Sequence, residues 1–412
     1  MEGCDLKVIV CNIGSSSLKF QLLDMESEKR IARGSIERVG SENASVQFWV
    51  ETDKVLDSAE GIRGHREAVR RALAFLTGSP ESPLKNLNEV GGVGFKCVQA
   101  GEKNGSVLLD DSVLEAMEYY RDLAPAHNPP YLEAIYMFRD LLPDVPLAGV
   151  FEPGFHVDVP DYAKIYGTPY EWIEEFGVRK YGYHGASHRF ITGETVRILS
   201  LPPEDHRIIS CHLGGSSSLC AFKNGASIDT SMGFSPQSGL IQGTRVGDMD
   251  PFVFPYIMKK KGITLEQALQ ECSQNGGLAG LSGTSGDMRD INDKIREGSR
   301  QALLARDKYV YDIKRYIGEF VVLMEGLDAI AFTGGIGQKD AELRSQVLSS
   351  LGFLGVRLDA RRNTNHEIVI TVPDSAVAAL VLETDEEMIV ARETVRVVSA
   401  PPRNHGAKLA KG

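Results

Sequence analysis

The stretch KVIVCNIGSSSLKFQLL, residues 7–23, decides how the rest of the chain is interpreted. Residues 8–11 are apolar and mostly β-branched, which predicts a buried strand. Residues 12–17 then supply the glycine and serines that are typical of a turn. Over residues 18–22 apolar and polar side chains alternate, so a second strand leaves the turn and the stretch forms a hairpin.

The tip of this hairpin offers backbone N–H groups, three hydroxyls, Asn12 and Lys19. Such groups suit phosphate oxygens and a hydrated Mg²⁺ ion. The hairpin is not a P-loop, because the pattern G-x-x-x-x-G-K-[ST] is missing and no helix follows. If this hairpin is considered alone, an ordinary polar turn is the simpler interpretation of its sequence.

A second hairpin of the same kind is predicted at residues 208–222, IISCHLGGSSSLCAF. Residues 11–14 align with 211–214, and one extra glycine brings 15–18 onto 216–219. Each hairpin is followed by another apolar strand beside a glycine loop, GGVGF at 91–95 and AIAFTGG at 329–335. Two matches in the same order indicate a duplicated domain.

We therefore expect an α/β protein of two related domains, each with a phosphate-binding hairpin, and a nucleotide cleft between them. The first domain is predicted to span residues 1–153, with a C-terminal helix at 386–400 packing back on it. The second spans 154–385. Residues 401–412 are predicted to form a disordered tail.

Composition restricts the function classes. The chain has 412 residues, 42% hydrophobic and 25% charged, as expected of a globular protein of two domains. Its net charge of −11 argues against nucleic acid or anionic membranes as partners. No apolar run approaches the length of a membrane span, and the acidic start is not a secretory signal. Six cysteines without a C-x-x-C pair, among them Cys11, Cys97 and Cys211, predict buried free thiols in the cytoplasm.

Two histidines four residues apart, His184 and His188, are candidate site residues. A zinc pair is the least favoured interpretation, because Gly185 stands where the two-histidine zinc helix needs a glutamate. Two hydrogen-bonded structural histidines, or a histidine that steadies phosphate charge, remain as alternatives.

Two glycine-rich segments add further candidates. Arg245 lies within GTRVGDMD (243–250), where it either binds an anion or pairs with Asp248 or Asp250. The segment GGIG (334–337) follows a predicted strand and precedes a helix that begins near Asp340. A strand, a glycine turn and a helix let the backbone approach a nucleotide closely.

Together these motifs resemble those of the acetate kinases, in the acetate and propionate kinase family of the actin, hexokinase and heat-shock ATPase superfold. The resemblance covers residues 7–396. It rests on VCNIGSSSLKF (10–20), APAHNP (124–129), KYGYHGASH (180–188), GTRVGDMDP (243–251) and TGGIG (333–337). It implies two duplicated actin/ribonuclease H-like domains, a homodimer, ATP/ADP with Mg²⁺ (or Mn²⁺), and a role in acetyl-CoA biosynthesis.

The resemblance also implies a role for each matching residue. Asn12 and Glu386 would hold the metal, and Glu152, His184 and Arg245 would be catalytic. Lys96, Val98 and Pro236 would contact the acid. The residues implied for phosphate and adenosine binding are Lys19, His212, Leu213, Gly214, Gly215, Ser216, Asp287, Met288, Arg289, Gly335, Ile336, Gly337, Gln338 and Lys339.

This sequence departs from the family pattern at positions that matter. Lys96 replaces the arginine that grips the carboxylate, Glu152 replaces an aspartate, and Gln99 replaces a histidine. Lysine keeps the charge but loses the planar fork, and glutamate is one methylene longer. We hypothesise that Lys96 and Glu152 compensate each other. Milder changes are Gly215-Ser216 for Asn-Gly and Gln338-Lys339 for Glu-Asn.

The sequence thus predicts an acetate kinase-like phosphotransferase that makes acetyl phosphate and ADP reversibly. Ala126 stands where the family has a leucine, so propionate or a larger acid is an alternative substrate. A nucleotide-binding protein with weak or no catalysis is a second alternative, favoured by Lys96, Gln99 and Glu152. A sugar kinase would need an aspartate base, and no motif proposes one.

Overall fold

The computed structural model describes residues 6–78, 82–124 and 127–400, which form two compact units. Unit 1 comprises the described residues up to Gly154 and from Glu387 onward, and unit 2 is Phe155–Glu386. The sequence prediction placed these boundaries after 153 and after 385. Ala126 and the predicted tail, 401–412, lie outside the described residues.

The strands and helices are numbered along the chain. The strands are β1 (Lys7–Gly14), β2 (Ser17–Asp24), β3 (Lys29–Glu37), β4 (Ala44–Val50), β5 (Asp53–Glu60), β6 (Val90–Cys97), β7 (Ser106–Leu108), β8 (Leu147–Phe151), β9 (Arg207–Leu213), β10 (Ser217–Lys223), β11 (Ala226–Thr230), β12 (Ala329–Thr333) and β13 (Ala378–Val381). The helices are α1 (His65–Thr77), α2 (Asp111–Tyr119), α3 (Asn128–Leu141), α4 (Asp161–Lys164), α5 (Tyr170–Glu174), α6 (Gly185–Leu199), α7 (Val253–Lys261), α8 (Leu265–Gln274), α9 (Gly277–Ser282), α10 (Met288–Arg296), α11 (Arg300–Met324), α12 (Gly334–Lys339), α13 (Ala341–Leu348), α14 (Ala360–Thr364) and α15 (Glu386–Val398).

The two units repeat one sheet topology. In unit 1 the order is β5-β4-β3-β2-β1-β6-β8-β7, and in unit 2 it is β11-β10-β9-β12-β13. The segment β3-β2-β1-β6-β8 matches the whole sheet of unit 2: three antiparallel strands, then two parallel additions. The fold is α/β with two duplicated domains, as the paired motifs predicted.

Each sheet is covered by helices on both faces. In unit 1, Ile9 and Cys11 of β1 face the core shared with α1 and α3, whereas Val8 and Val10 face α15. Unit 2 repeats this alternation, with α11 on one face and α6 on the other. Successive side chains of a strand point to opposite faces, so a sheet buried on both sides needs continuous apolar strands.

Both predicted hairpins are confirmed. In unit 1, β1 and β2 pair in antiparallel register from Lys7↔Asp24 to Gly14↔Ser17, which leaves Ser15 and Ser16 at the tip. In unit 2, β9 and β10 pair from Arg207↔Lys223 to Leu213↔Ser217. The predicted buried free thiols of Cys11, Cys97 and Cys211 are also confirmed, and burial raises the pKa of each.

Residues 334–337 do not form the predicted turn, but the helix predicted near Asp340 is confirmed, because α13 begins at Ala341 with Asp340 as its cap. The helix α12 already begins at Gly334, and α13 follows it. The chain reverses at one residue, Gly334, whose φ of +76° suits glycine, and a Cβ there would lie 2.5 Å from the carbonyl oxygen of Leu213. The remaining glycines are therefore free to be helical. Among the described residues, no helix is long and apolar enough to cross a membrane.

Candidate active site

A cavity of about 770 Å³ in unit 2 contains most of the residues predicted to bind nucleotide. It lies where the β9–β10 turn, the segment after Gln242 and the first turns of α10, α12 and α13 meet. Its lining residues are Gly214, Gly215, Gly243, Thr244, Gly286, Asp287, Met288, Arg289, Asn292, Gly335, Ile336, Lys339, Asp340, Ala341 and Glu342. A cavity of this volume is typical of a small-molecule or cofactor site.

Glycine is required here because backbone packs directly on backbone. The N–H of Gly243 donates to the carbonyl of Gly215 at 2.9 Å. A Cβ on Gly243 would lie 3.0 Å from that oxygen, and one on Gly286 would lie 2.5 Å from the carbonyl oxygen of Gly243. This wall therefore presents main-chain groups to a ligand, as phosphate- and nucleotide-binding loops do.

The start of α10 forms another wall. Asp287 caps the helix by accepting from the N–H of Arg289 at 2.9 Å, and its carboxylate also pairs with the Arg289 guanidinium at 2.6 Å. These hydrogen bonds from Arg289 lower the pKa of Asp287 to about 2. The carboxylate is thus charged at neutral pH, and Arg289 remains largely exposed beside the cavity.

Not every predicted nucleotide residue lines the cavity. The six that do not are Lys19, which lies in unit 1, and His212, Leu213, Ser216, Gly337 and Gln338. Conversely, the sequence reasoning missed Gly243, Thr244, Gly286, Asn292, Asp340, Ala341 and Glu342. For Asp340 a signal existed, because an aspartate at the expected start of a helix is a common cap, and its side chain accepts from the N–H of Leu343.

His184 and His188 occupy different environments. Both ring nitrogens of the buried His188 bond serine hydroxyls, Nδ1 with Ser210 at 2.9 Å and Nε2 with Ser218 at 2.8 Å. Burial holds the pKa of His188 well below its usual value, so the ring is neutral. These contacts give His188 a structural role and make the zinc-pair interpretation wrong.

Ser218 connects His188 to His184. Its hydroxyl lies 2.7 Å from Nδ1 of His184, so the neutral His188 orients Ser218, and Ser218 orients the His184 ring. The His184 ring also stacks on His212 with centroids 4.2 Å apart. His184 has a left-handed backbone, φ 57°, at the cap position of α6. Its orientation is thus held by three separate constraints.

Arg245 is held by neutral groups. Its Nη1 donates to Ser216 Oγ and Gln242 Oε1 at 3.0 Å and to the carbonyl of Pro236 at 3.3 Å. Asp248 instead pairs with Arg315 at 3.0 Å, so the alternative pairing of Arg245 with Asp248 is wrong. Within the described chain no carboxylate lies within 4.0 Å of Arg245, and burial lowers its pKa. A partly buried cation without a counter-ion favours anion binding.

Unit 1 places Asn12 and Lys19 side by side, because they are directly opposed in the β1–β2 register. The Tyr131 hydroxyl donates to Asn12 Oδ1 at 3.4 Å and accepts from the N–H of Ile13 at 3.0 Å. Tyr131 is buried, so these two hydrogen bonds attach the end of β1 to the core of unit 1. Lys19 is 57% exposed and lies 3.7 Å from Glu37, a weak surface contact.

Lys96 and Glu152 meet in unit 1. They lie at the carboxyl ends of the neighbouring parallel strands β6 and β8, and their charged groups are 3.0 Å apart. The side chains are only 21% and 7% exposed. The hypothesis that a lysine and a longer carboxylate compensate each other thus has a geometric basis. Half-buried Val98 follows β6.

Gln99 has a structural role. Its Oε1 accepts from the N–H of Gly101 at 2.8 Å and from Asn104 Nδ2 at 2.6 Å. Its carbonyl accepts from Asn128 Nδ2 at 2.9 Å, and the residue is fully buried. The side-chain oxygen of Gln99 therefore provides the hydrogen-bond acceptor for two donors in the turn after β6.

Asn12 belongs to unit 1 and Glu386 is the last residue of unit 2, and the side chain of each is of a type that binds Mg²⁺. Both offer oxygen atoms, and Glu386 begins α15. The described part of the chain has no group of three or more His, Cys, Asp or Glu side chains placed to hold a metal. Mg²⁺ in phosphoryl-transfer sites is commonly bound by one or two protein side chains, waters and substrate phosphates, so a larger cluster is not required.

Comparison with known proteins identifies relatives over nearly the whole chain. A family model described as the acetokinase family matches residues 7–392. An acetate kinase of Thermoanaerobacter pseudethanolicus is 41% identical over 397 residues, covering 95% of this chain and 99% of that protein. The solved structure of Porphyromonas gingivalis acetate kinase matches with a TM-score of 0.88 at 35% identity, covering 95% and 100%. A Francisella tularensis propionate kinase matches with a TM-score of 0.87 at 32% identity, covering 95% and 100%.

Proposed function

The chain belongs to the acetokinase family, and we propose that it transfers the γ-phosphoryl group of ATP reversibly to acetate, giving acetyl phosphate and ADP. It is an enzyme, a phosphotransferase with a carboxyl group as acceptor. The observation that carries the proposal is Arg245, a partly buried guanidinium whose hydrogen-bond partners in the described part of the chain are all neutral.

The chemistry requires no general base. A carboxylate is ionised at neutral pH, so one of its oxygens attacks the γ-phosphorus while the bond from phosphorus to the β–γ bridging oxygen breaks and ADP leaves. Catalysis is then positioning and neutralisation of charge. Arg245 supplies a cation for the transferring group, and His184, oriented through Ser218, supplies a second donor. Mg²⁺, held by Asn12 and Glu386, would neutralise phosphate charge.

The cavity of unit 2 is the proposed nucleotide site. Its main-chain wall at Gly215, Gly243 and Gly286 suits a ligand that approaches closely. Lys19 and Ser216 are proposed to contact the phosphates, although Ser216 does not line this cavity. A cytoplasmic homodimer is proposed as well; buried free thiols suit a reducing compartment.

The acid is proposed to contact Lys96, Val98 and Pro236, with Glu152 holding Lys96 in place. Propionate is a second candidate, because a propionate kinase is among the similar structures. The pairing of Lys96 with Glu152 reduces the net charge available to any carboxylate. We therefore expect weak binding of the acid rather than loss of the reaction.

The test is to incubate the purified chain with Mg·ATP and acetate, propionate, butyrate or a longer acid, and to trap acyl phosphate with hydroxylamine. Acyl phosphate from acetate is the expected result, and Arg245→Met is the matched inactive control. If acyl phosphate formed only with a longer acid, that acid would replace acetate as the proposed substrate. No product with any acid, while ADP still binds, would refute the proposal.

A further inference from the structure

One buried arginine donates hydrogen bonds to two side chains that line the nucleotide cavity. Arg306, on α11, does not line the cavity, and its side chain is 4% exposed. Its Nη1 donates to Asn292 Oδ1 on α10, and its Nη2 donates to Asp340 Oδ1 at 3.3 Å. Its Nε donates to Gln346 Oε1 on α13, also at 3.3 Å. One planar guanidinium thus joins three helices.

These contacts fix the amide of Asn292. Its oxygen accepts from Arg306, and its nitrogen donates to Asp340 Oδ2 at 3.2 Å. Asp340 is engaged at both oxygens, because Oδ1 also accepts from the N–H of Leu343 at 2.9 Å. The Asn292 amide therefore cannot flip without losing both bonds. It retains one N–H for a ligand, and both Asn292 and Asp340 line the cavity.

We propose that Asn292 is a specificity-determining hydrogen-bond donor for the nucleoside, and that Arg306 is the positioning residue that fixes the orientation of the Asn292 amide. The inference rests on the proposed function, since it assumes that a nucleotide occupies this cavity. A donor fixed in this way favours nucleosides that present an acceptor atom to it. Lysine cannot replace Arg306, because an ammonium group lacks the fork that reaches Asn292 and Asp340 together.

Four variants test the inference. Arg306→Met and Arg306→Lys remove the fork, and Asn292→Asp keeps the acceptor for Arg306 but removes the donor. Arg300→Met is the matched control, because Arg300 lies on the same helix, is exposed and does not line the cavity. Equilibrium dialysis gives the Kd for ADP, and steady-state kinetics give KM for ATP, KM for acetate and kcat. Circular dichroism and Tm report folding.

Both Arg306 variants and Asn292→Asp are expected to raise the Kd for ADP and KM for ATP about three- to tenfold, the worth of one hydrogen bond. KM for acetate stays unchanged, the ratio of kcat/KM for ATP to that for GTP shifts, and Arg300→Met behaves as wild type. A purely structural role predicts that Arg306→Lys restores ADP binding, or that all parameters worsen together.

Wild-type affinity for ADP in a folded Asn292→Asp and Arg306→Lys would overturn the inference while leaving the proposed function intact. If Arg306→Met does not fold, Asn292→Asp and Arg306→Lys still test the inference. A folded wild-type chain that bound no ADP or ATP would instead refute the nucleotide site itself. The two failures are therefore distinguishable from one set of titrations.

Discussion

Removing one partner of the Lys96–Glu152 pair is predicted to destabilise unit 1 far more than removing both. At their separation of 3.0 Å the attraction is about 5–6 kcal/mol with an effective dielectric constant near 20. Desolvation offsets much of it, so the pair contributes little net stability. Lys96→Met removes the cation that lies 3.0 Å from the 7% exposed Glu152, and breaking a buried pair from one side costs about 3–5 kcal/mol.

The assay is thermal unfolding of four proteins: wild type, Lys96→Met, Glu152→Gln and the double variant. For a unit of this size 1 kcal/mol corresponds to about 2–4 °C, so Lys96→Met lowers Tm by about 6–20 °C. The double variant is expected to be more stable than Lys96→Met, which requires a coupling energy larger than the cost of Glu152→Gln alone. Arg139→Met, which breaks the exposed pair with Asp111, is the control and costs less than about 1 kcal/mol.

A charge-preserving arm tests compensation in the active site. Glu152→Asp shortens the carboxylate by one methylene, and a misplacement of about 1 Å can cost about 10²-fold in rate. We expect Glu152→Asp alone to lower acetate turnover and Lys96→Arg with Glu152→Asp to recover it. Additive Tm losses, or higher turnover in Glu152→Asp alone, would refute the reasoning.

Three further predictions follow from single contacts. Arg245→Met should lower kcat about 10³–10⁵-fold with little change in Tm or ADP affinity, and equal loss of ADP binding would contradict its role toward the transferring group. Gly286→Ala should weaken ADP binding at least about tenfold, because its Cβ would meet the Gly243 carbonyl oxygen at 2.5 Å, whereas Gly318→Ala, with no atom within 4 Å of its Cβ, should leave ADP binding unchanged. Burial lowers the pKa of His156 to about 4, so between about pH 6.5 and 4 the unfolded chain binds a proton that the folded chain does not. The free energy of unfolding therefore falls by about 3 kcal/mol as the pH falls through this window. In urea titrations at several pH values, His156→Asn should make the free energy of unfolding depend less on pH.

The sequence was most informative where local pattern and fold agree. The two serine-rich hairpins and the strands after them were predicted because alternation and turn residues are local signals, and their repetition indicated the duplicated topology. The C-terminal helix was predicted at residues 386–400; α15 begins at Glu386 as predicted and ends two residues earlier than predicted, at Val398. Helix ends depend on caps, which is why such boundaries shift.

Tertiary partners were not predictable in the same way. Whether Arg245 faced Asp248 or neutral groups depends on Arg315 of α11, which is 67 residues away from Asp248. The bracing of Asn292 by Arg306 joins residues of three helices and leaves no periodic trace. Glycine content suggested a turn at 334–337, but a single left-handed residue is enough to reverse the chain there.

The central claim is tested most directly in the reverse direction. The chain is incubated with acetyl phosphate and Mg·ADP, and ATP is read by luciferase luminescence, with Arg245→Met and a reaction lacking acetyl phosphate as controls. The account predicts ATP formation that depends on acetyl phosphate, saturates with it and is at least about 10³-fold slower in Arg245→Met. A wild-type chain that binds ADP yet forms no ATP, or an Arg245→Met variant as fast as wild type, would contradict it.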